Sequence, residues 1–331
     1  MARILYLTPG LGPCGGIRII FEHCNRLARR GHEVFLVAPQ PQEVRWANVE
    51  VPVTTMAATR GAKPFDAVVA TGFQTVAPAL QIPAPRRYYF VQNMEYTFFP
   101  PTSSHWAEAR QSYAAAKANE FGVLCIANWH KETLKREWDI DATVVRNGVN
   151  RDEFYVSGQQ REHAILIEGD DRNPSKDTEG IAWRVGEQLR SEWGVALWGF
   201  AAYRHSHADM FDRFKAPYNA DEARSMYSQA LFLVKASHSE GLACAPVEAM
   251  ACGTTCARAV DLGDDDLIDG VNCLRVPYNY DALLEAARKL MTDIALRRRL
   301  EHNVRVYADK YLAWDPIVDQ LECIYGAGGK Q

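Results

Sequence analysis

The amino-acid sequence predicts an α/β protein with two doubly wound domains of similar size that face each other across a cleft. Strand-like and helix-like segments alternate along 331 residues, which implies parallel sheets covered by helices. A polar stretch at residues 150–162 separates two such series, and the length suits about two domains. We expect domains at residues 1–155 and 156–312, with a helix at 313–331 that returns to the first domain.

In the first half, short apolar runs predict strands and longer mixed runs predict helices. The apolar run at residues 3–7 is typical of a buried strand. Residues 106–121 are rich in alanine, glutamate and lysine, which favour a helix. The other predicted segments are a helix at 17–30 and strands at 34–38, 67–70, 88–91, 123–127 and 143–145.

The second half repeats this alternation. Strands are predicted at 164–167, 195–200, 231–235 and 255–259, and helices at 179–189, 221–229, 246–251, 280–291, 294–311 and 314–325. Because parallel strands end at the same edge of a sheet, we expect ligands to bind at the carboxyl ends of the strands, facing the cleft.

Composition excludes several classes of protein. A formal net charge of −4 gives no electrostatic footprint for nucleic acid, and no apolar run approaches the roughly 18–20 residues that span a bilayer. We therefore expect a cytoplasmic protein, with peripheral contact at the inner face of the membrane left open. The eight cysteines form no C-x-x-C pair, so we expect reduced thiols rather than disulfides or zinc ligands. The oligomeric state is left open.

Gly10, Gly12 and Gly15 have the G-x-G-x-x-G spacing of a dinucleotide fingerprint, which raises the alternative of an oxidoreductase. That reading requires an acidic residue at the tip of the second strand, but the tip at 37–42 holds none, and Pro13 removes one amide from the loop. We favour a different use of the loop. Gly15 and Gly16 precede a predicted helix, where their backbone amides face a ligand.

The strongest chemical signal follows the predicted strand at 231–235. Glu240 comes before a turn, and the amides of residues 241–243 precede a helix predicted to begin at Pro246. Glu248 is then expected in the first helical turn. Amides at a helix start suit a phosphate, and the two carboxylates suit sugar hydroxyls. The plainer alternatives are a solvated loop acid and compensation of the helix dipole.

Two cations lie in the loop after the strand predicted at 164–167. Arg172 and Lys176 are placed to direct positive charge into the cleft, which suits a departing diphosphate. An ordinary polar turn with surface cations is the alternative.

With these segments in order, nearly the whole chain resembles the family-4 retaining glycosyltransferases of the GT-B fold. Glu240 and Glu248 stand in the family's E-x7-E relation. Further segments similar to the family are Gly15-Gly16, Leu27-Ala28, 30–34, 145–150 with Phe154, and 270–274.

The resemblance implies a role for each candidate residue. Glu240 would contact the donor sugar, and Arg172 and Lys176 would stabilise the leaving diphosphate. Donor-binding residues would be Gly241, Leu242, Ala243, Glu248, Gly15 and Gly16. The implied partners are a nucleoside-diphosphate sugar and a glycan or lipid-linked acceptor, with no metal and no cofactor.

The chain departs from the family at three places. Residues 90–96 lack the histidine that often lines the acceptor side, so Gln92, Asn93 and Glu95 are the expected substitutes. The loop from Arg172 to Lys176 is one residue shorter than usual, and Asp264-Asp265-Asp266 replaces a stretch richer in glycine.

These departures leave the substrate and the activity open. The stretch beginning at Gln92 is similar to bacterial rhamnosyltransferases of surface polysaccharide synthesis, which suggests dTDP-rhamnose, with UDP- and GDP-sugars as alternatives. A sugar-nucleotide epimerase of the same fold and an inactive nucleotide-sugar-binding protein are the competing functions.

Overall fold

The structure is a computed structural model that describes residues 1–168, 176–177, 179–201, 203–204, 207–216 and 219–326. The chain divides into two compact units. The first is Met1–Asn147 with the segment that starts at Asp315, and the second is Gly148–Trp314. The sequence predicted the corresponding domain boundaries between residues 155 and 156 and between residues 312 and 313.

The first unit is built on a seven-stranded parallel sheet in the order β3-β2-β1-β4-β5-β6-β7. Its strands are β1 (Arg3–Leu7), β2 (Glu33–Val37), β3 (Val53–Thr54), β4 (Ala67–Ala70), β5 (Arg86–Val91), β6 (Gly122–Cys125) and β7 (Thr143–Val144). Its first four helices are α1 (Gly15–Arg29), α2 (Phe73–Leu80), α3 (Ser104–Ala118) and α4 (Asn128–Trp138). All four residues of β4 are buried, as expected of a central strand covered on both faces.

The second unit is built on a six-stranded parallel sheet in the order β10-β9-β8-β11-β12-β13. Its strands are β8 (Ala164–Glu168), β9 (Ala196–Phe200), β10 (Arg213–Lys215), β11 (Leu233–Ser239), β12 (Cys256–Leu262) and β13 (Leu274–Val276). Its helices are α5 (Ile181–Trp193), α6 (Ala220–Gln229), α7 (Cys244–Ala251), α8 (Tyr280–Thr292) and α9 (Ile294–Tyr311).

The cores of both units follow from helix and strand periodicity. In α5, Ile181, Val185 and Leu189 recur every four residues and are buried. They join β8 residues such as Ile165 and Ile167 in one apolar cluster. The predicted α/β class with two doubly wound halves is confirmed.

The last described helix, α10 (Trp314–Ile324), contacts α1 of the first unit. Arg30, the C-cap of α1, bonds Asp319 at 2.5 Å and lies 3.2 Å from Glu322. Just beyond α10, the hydroxyl of Tyr325 lies 2.8 Å from that of Tyr6 in β1. The end of the described chain is therefore part of the first unit's core.

Several elements differ from the sequence prediction. The strand predicted at 231–235 is β11, which begins at Leu233 and continues to Ser239. β12 likewise runs on to Leu262. Sequence did not predict α2, α4, β3, β10 or β13.

Candidate active site

Topology locates the candidate site at one edge of the second sheet. The strand order reverses direction between β8 and β11, and ligands of doubly wound folds bind beyond the carboxyl ends of the strands at this point. Lys176 lies in the segment after β8, and Glu240 directly follows β11. The fold therefore brings the loops of these two predicted site residues to one place.

Glu240 and Lys176 form an ion pair between Nζ and Oε1. Glu240 is 5% exposed, and its Oε1 also accepts a hydrogen bond from the Ser237 hydroxyl at 3.1 Å. Glu240 is thus not the solvated loop acid of the plainer alternative, because the longer β11 carries it into the interior. Arg172, the other predicted cation, lies outside the described residues.

A buried lysine adds a second positive charge beside Glu240. Lys235 of β11 is 2% exposed; its Nζ pairs with Glu168 and lies 3.5 Å from Glu240 Oε1. Burial alone would raise the pKa of Glu240, but Lys176, Lys235 and Arg258 outweigh it and hold that pKa at about 2. Burial is also the main cause that lowers the pKa of Lys235. Glu240 is therefore a carboxylate at neutral pH.

Glu248 lies two residues further into α7 than the sequence suggested. The helix begins at Cys244, so Pro246 is its third residue and Glu248 its fifth. Pro246 is tolerated there because amides of the first turn have no intrahelical partner. Glu248 is buried, and its Oε2 accepts a hydrogen bond from the Tyr227 hydroxyl at 3.0 Å. Compensation of the helix dipole in the first turn does not explain this position.

In the loop of residues 240–243, which we call the donor loop, one backbone amide donates a hydrogen bond to a side chain of the same unit. The Ala243 amide, predicted to bind the donor, donates to Asp264 Oδ1 at 2.7 Å. Asp264 and its partner Arg258 are both fully buried, so a ligand does not reach this amide while the pair is intact. In this structure the Ala243 amide therefore has a partner within the chain, while Gly241 and Leu242 belong to the same loop.

In the first unit, the predicted glycines belong to the helix rather than preceding it. Gly15 and Gly16 are the first two residues of α1, and the Sγ of Cys14 accepts from the Ile17 amide at 3.4 Å as its N-cap. Gln92, which follows β5, donates from Nε2 to the Gly16 carbonyl at 3.1 Å. The glycine loop and one predicted acceptor-side residue are therefore in direct contact.

The other two acceptor-side candidates have different roles. Asn93 Oδ1 accepts a hydrogen bond from the next amide, Met94, at 2.8 Å. Glu95 Oε2 accepts from the Phe73 amide at the start of α2 (2.8 Å) and from the Tyr89 hydroxyl (3.0 Å). Burial, only partly offset by these two bonds, raises the pKa of Glu95 to about 7.

Three residues at or beside the site were not predicted as site residues: Lys235, Tyr227 and Asp264. A lysine within the apolar run at 231–236 was a readable signal, since a buried lysine needs a charged partner. In the sequence, the triple aspartate indicates only a departure from the family. Tyr227 offered no signal, because it meets Glu248 only through packing of α6 against α7.

The described histidine, cysteine and acidic side chains form neither a metal site nor a disulfide. Among the described residues, no group of three or more His, Cys, Asp or Glu side chains has the arrangement to hold a metal ion. All eight cysteines, each of which is described, are free thiols.

The segment that carries this site is similar to the glycosyltransferases. Residues 213–307 match the family model of glycosyl transferases group 1. That segment contains Glu240, the rest of the donor loop and Glu248. The expected resemblance to this class is confirmed by the match.

One curated relative and several solved structures are also similar to this chain. A glycosyltransferase of Methanocaldococcus jannaschii, described as uncharacterized, is 26% identical over 234 residues, or 66% of this chain. That match covers 63% of the relative, so the chain spans less than two thirds of its length. Sucrose-phosphate synthase from Thermosynechococcus elongatus has a TM-score of 0.78 at 16% identity over 98% of both chains.

A further structure, HepE from Anabaena in complex with UDP and glucose, has a TM-score of 0.75 at 14% identity. It is covered over its full length by 99% of this chain. At such identities the likeness establishes the fold, which is the predicted GT-B fold. Within the described residues, none of the helices has the length and apolar character required to cross a membrane.

Proposed function

We propose that the chain is a retaining glycosyltransferase that moves a sugar from a nucleoside-diphosphate sugar to a glycan or lipid-linked acceptor without a metal ion. The observation that carries this proposal is the Lys176–Glu240 pair at the point where the strand order reverses, next to the start of α7. A cation and an ionised carboxylate at such a point suit a ligand that is part phosphate and part sugar.

Each predicted site residue of the second unit considered below then has a role toward the donor. Glu248 holds the hydroxyls of the nucleotide ribose, and Glu240 contacts the donor sugar near the reacting carbon. The amides of Gly241 and Leu242 face the distal phosphate. When the bond from the sugar to the diphosphate breaks, negative charge develops on the leaving group, and Lys176 stabilises it together with Arg172.

The acceptor hydroxyl oxygen bonds to the anomeric carbon on the face from which the diphosphate departs, so the configuration is retained, and the leaving phosphate takes the acceptor proton. This assignment needs no metal, since cationic side chains supply the positive charge. We expect turnover to survive an excess of EDTA.

The carboxyl edge of the first unit provides the acceptor contacts in this proposal. Gln92, Asn93 and Glu95 follow β5 there, while Gly15 and Gly16, which begin α1 beside Gln92, remain assigned to donor binding. Amide and carboxylate groups are suited to sugar hydroxyls. We assign the protein to polysaccharide synthesis in the cytoplasm, with the acceptor at the inner face of the membrane.

The donor is proposed as a class, with dTDP-rhamnose, UDP-sugars and GDP-sugars as candidates. Support for including UDP-sugars comes from HepE, the similar fold that was solved with UDP and glucose. Purified protein incubated with each donor and with glycan and lipid-linked acceptors should release nucleoside diphosphate. The product sugar should keep the donor's anomeric configuration when examined by NMR.

Two variants test the roles of the carboxylates. Glu240→Ala should lower kcat by about a hundredfold or more, because it removes a group placed at the reacting carbon. Glu248→Ala should weaken nucleotide binding about tenfold, the usual cost of a lost hydrogen bond to a charged group. Glu285→Ala, at an exposed carboxylate of α8, is the matched control and should change neither quantity.

Wild-type kinetics in both Glu240→Ala and Glu248→Ala would refute the assignment. Conversion of the donor without any acceptor would indicate an epimerase instead. Nucleotide binding without release of product would indicate an inactive binding protein.

A further inference from the structure

Asp264, which lies just beyond the strand next to β11, forms hydrogen bonds with the donor loop. Asp264 lies two residues after β12, the strand that pairs with β11. Its backbone has a φ of 55°, in the left-handed region that asparagine and aspartate tolerate better than most residues. The position therefore suits glycine, asparagine or aspartate, and only the last brings a charge.

Three hydrogen bonds tie the donor loop to the segment around Asp264. The Glu240 amide donates to the Leu262 carbonyl at 3.0 Å, and the Asp264 amide donates to the Gly241 carbonyl at 3.2 Å. The third runs from the Ala243 amide to Asp264 Oδ1 at 2.7 Å. Asp264 thus takes part in two of the three and spans the loop from Gly241 to Ala243.

The carboxylate of Asp264 is itself fixed by a buried arginine. Arg258 Nε donates to Asp264 Oδ2 at 2.6 Å, and both side chains are 0% exposed. Arg258 Nη1 donates to the Ala259 carbonyl at 2.8 Å, while Nη2 is buried without a hydrogen-bond partner among the residues that the structure describes. A buried ion pair with an unsatisfied donor is a poor means of stabilising a fold. Its cost favours a role in holding a specific geometry.

We propose that Asp264, clamped by Arg258, is a positioning residue that sets the shape of the donor loop so that Glu240 and the Gly241 and Leu242 amides meet the donor. This inference rests on the proposed function. Asp264 does not touch the donor; it acts by occupying the Ala243 amide and the Gly241 carbonyl. The loop is therefore preorganised before the donor binds, which lowers the ordering needed at the reacting centre.

Two substitutions separate the contacts of Asp264. Asp264→Asn keeps an oxygen for the Ala243 amide and suits the backbone, but it loses the charge opposite Arg258. Asp264→Gly also suits the backbone and loses the side chain entirely. Asp266→Asn is the matched control, because Asp266 is similarly buried and accepts from the Tyr307 hydroxyl at 2.5 Å.

In the transfer assay, kcat should fall about tenfold in Asp264→Asn and about a hundredfold in Asp264→Gly, as expected when reacting groups are misplaced. The affinity for a nucleoside monophosphate, which reaches Glu248 without the distal phosphate, should stay within about twofold in both. Asp266→Asn should be normal in both respects. Unchanged kcat in folded Asp264→Gly would overturn the inference, as would parallel losses of kcat and monophosphate affinity.

Amide hydrogen exchange gives a second readout that needs no substrate. Exchange of the amides at 241–243 should be about tenfold faster in Asp264→Gly than in wild type, since local opening exposes them, and unchanged in Asp266→Asn. Equal exchange in the two variants would overturn the inference. Absence of product from wild type would instead count against the proposed function, so the two failures are distinguishable.

Discussion

At the residue scale, the carboxylate proposed to hold the ribose is oriented by a buried tyrosine. Tyr227 is fully buried, and its ring packs edge-on against Phe154 and Phe200 at centroid distances of 6.1 and 5.4 Å. Its hydroxyl donates to Glu248 Oε2 at 3.0 Å. Replacing tyrosine with phenylalanine therefore removes a hydrogen bond to a charged group and keeps the packing.

Tyr227→Phe should weaken nucleotide binding about tenfold, because a hydrogen bond to a charged group contributes about 1.5–3 kcal/mol, and should leave kcat at saturating donor nearly unchanged. Isothermal titration with nucleoside diphosphate checks the affinity. Tyr307→Phe, which removes a hydroxyl from Asp266 in the same unit, is the control. If the two variants lose equal affinity, the role of Tyr227 in orienting Glu248 is wrong.

At this scale the sequence predicts contacts between residues that are close together in the chain, and it does not predict contacts that form only through folding. Glu240 and Glu248 are separated by a fixed number of residues around a helix start, and the structure keeps both within or beside α7. Asp264 was not distinguishable among three consecutive aspartates, because nothing in a sequence tells which carboxylate bonds to the donor loop. Its partners Arg258 and Ala243 reach it only through the pairing of β12 with β11.

At the scale of elements, the sequence predicted central strands and apolar helices well and polar or short elements poorly. β1, β4 and α9 begin and end where predicted. The missed helix α4 buries only His130, Thr133 and Leu134 among its described side chains, so it lacks a readable apolar stripe. The missed helix α2 contains Pro78, which argues against a helix in any local reading. The missed strands β3, β10 and β13 have two or three residues each.

A glycine in β9 shows how closely one element fits its neighbour. A Cβ at Gly199 would lie 2.7–2.9 Å from three ring atoms of Phe211. Gly199→Ala should therefore destabilise the second unit by about 1–3 kcal/mol, the usual cost of overpacking, although alanine costs less backbone entropy. Urea unfolding followed by circular dichroism measures this change.

Gly194, which follows α5, is the comparison for this element. No atom lies within 4 Å of a Cβ built there, but its φ is +60°, so Gly194→Ala should cost about 1–2 kcal/mol through backbone strain alone. The urea midpoint of Gly194→Ala should not depend on Phe211. Replacing Phe211 with leucine should relieve part of the defect in Gly199→Ala only, and equal relief in both variants would contradict the contact.

At the scale of the whole molecule, the two units repeat one strand order but carry different chemistry. In each, the reversal of strand order falls between the first and fourth strands of the sheet, β1 and β4 in one unit and β8 and β11 in the other. The second unit places an ion pair of Lys176 and Glu240 there. The first unit has its glycine loop after β1. The alternation of predicted strands and helices along the chain predicts two sheets of this kind. The carboxyl edges of the two sheets differ only in the side chains that they carry.

Acid sensitivity is a whole-molecule consequence of two buried histidines in the first unit. Burial, aided at His23 by the Arg26 charge, lowers the pKa of His23 and of His130 to about 3. Between that value and the ordinary value near 6.5, the unfolded chain binds protons that the folded chain does not. Acidification therefore favours unfolding, and each histidine contributes at most about 1.4 kcal/mol per pH unit. Glu95 acts in the opposite direction, because its raised pKa makes the folded chain bind a proton as the pH falls below about 7.

Two histidines outweigh one glutamate, so the free energy of unfolding should fall between pH 6.5 and 5, where most surface carboxylates stay ionised. His130 is the residue to change, because neither ring nitrogen has a hydrogen-bond partner among the described residues. His130→Leu should reduce the slope by up to about 1.4 kcal/mol per pH unit without loss of stability at pH 7.5. Guanidinium unfolding of the wild type and of His130→Leu at four pH values measures both slopes. Identical slopes would show that His130 does not titrate as its burial requires.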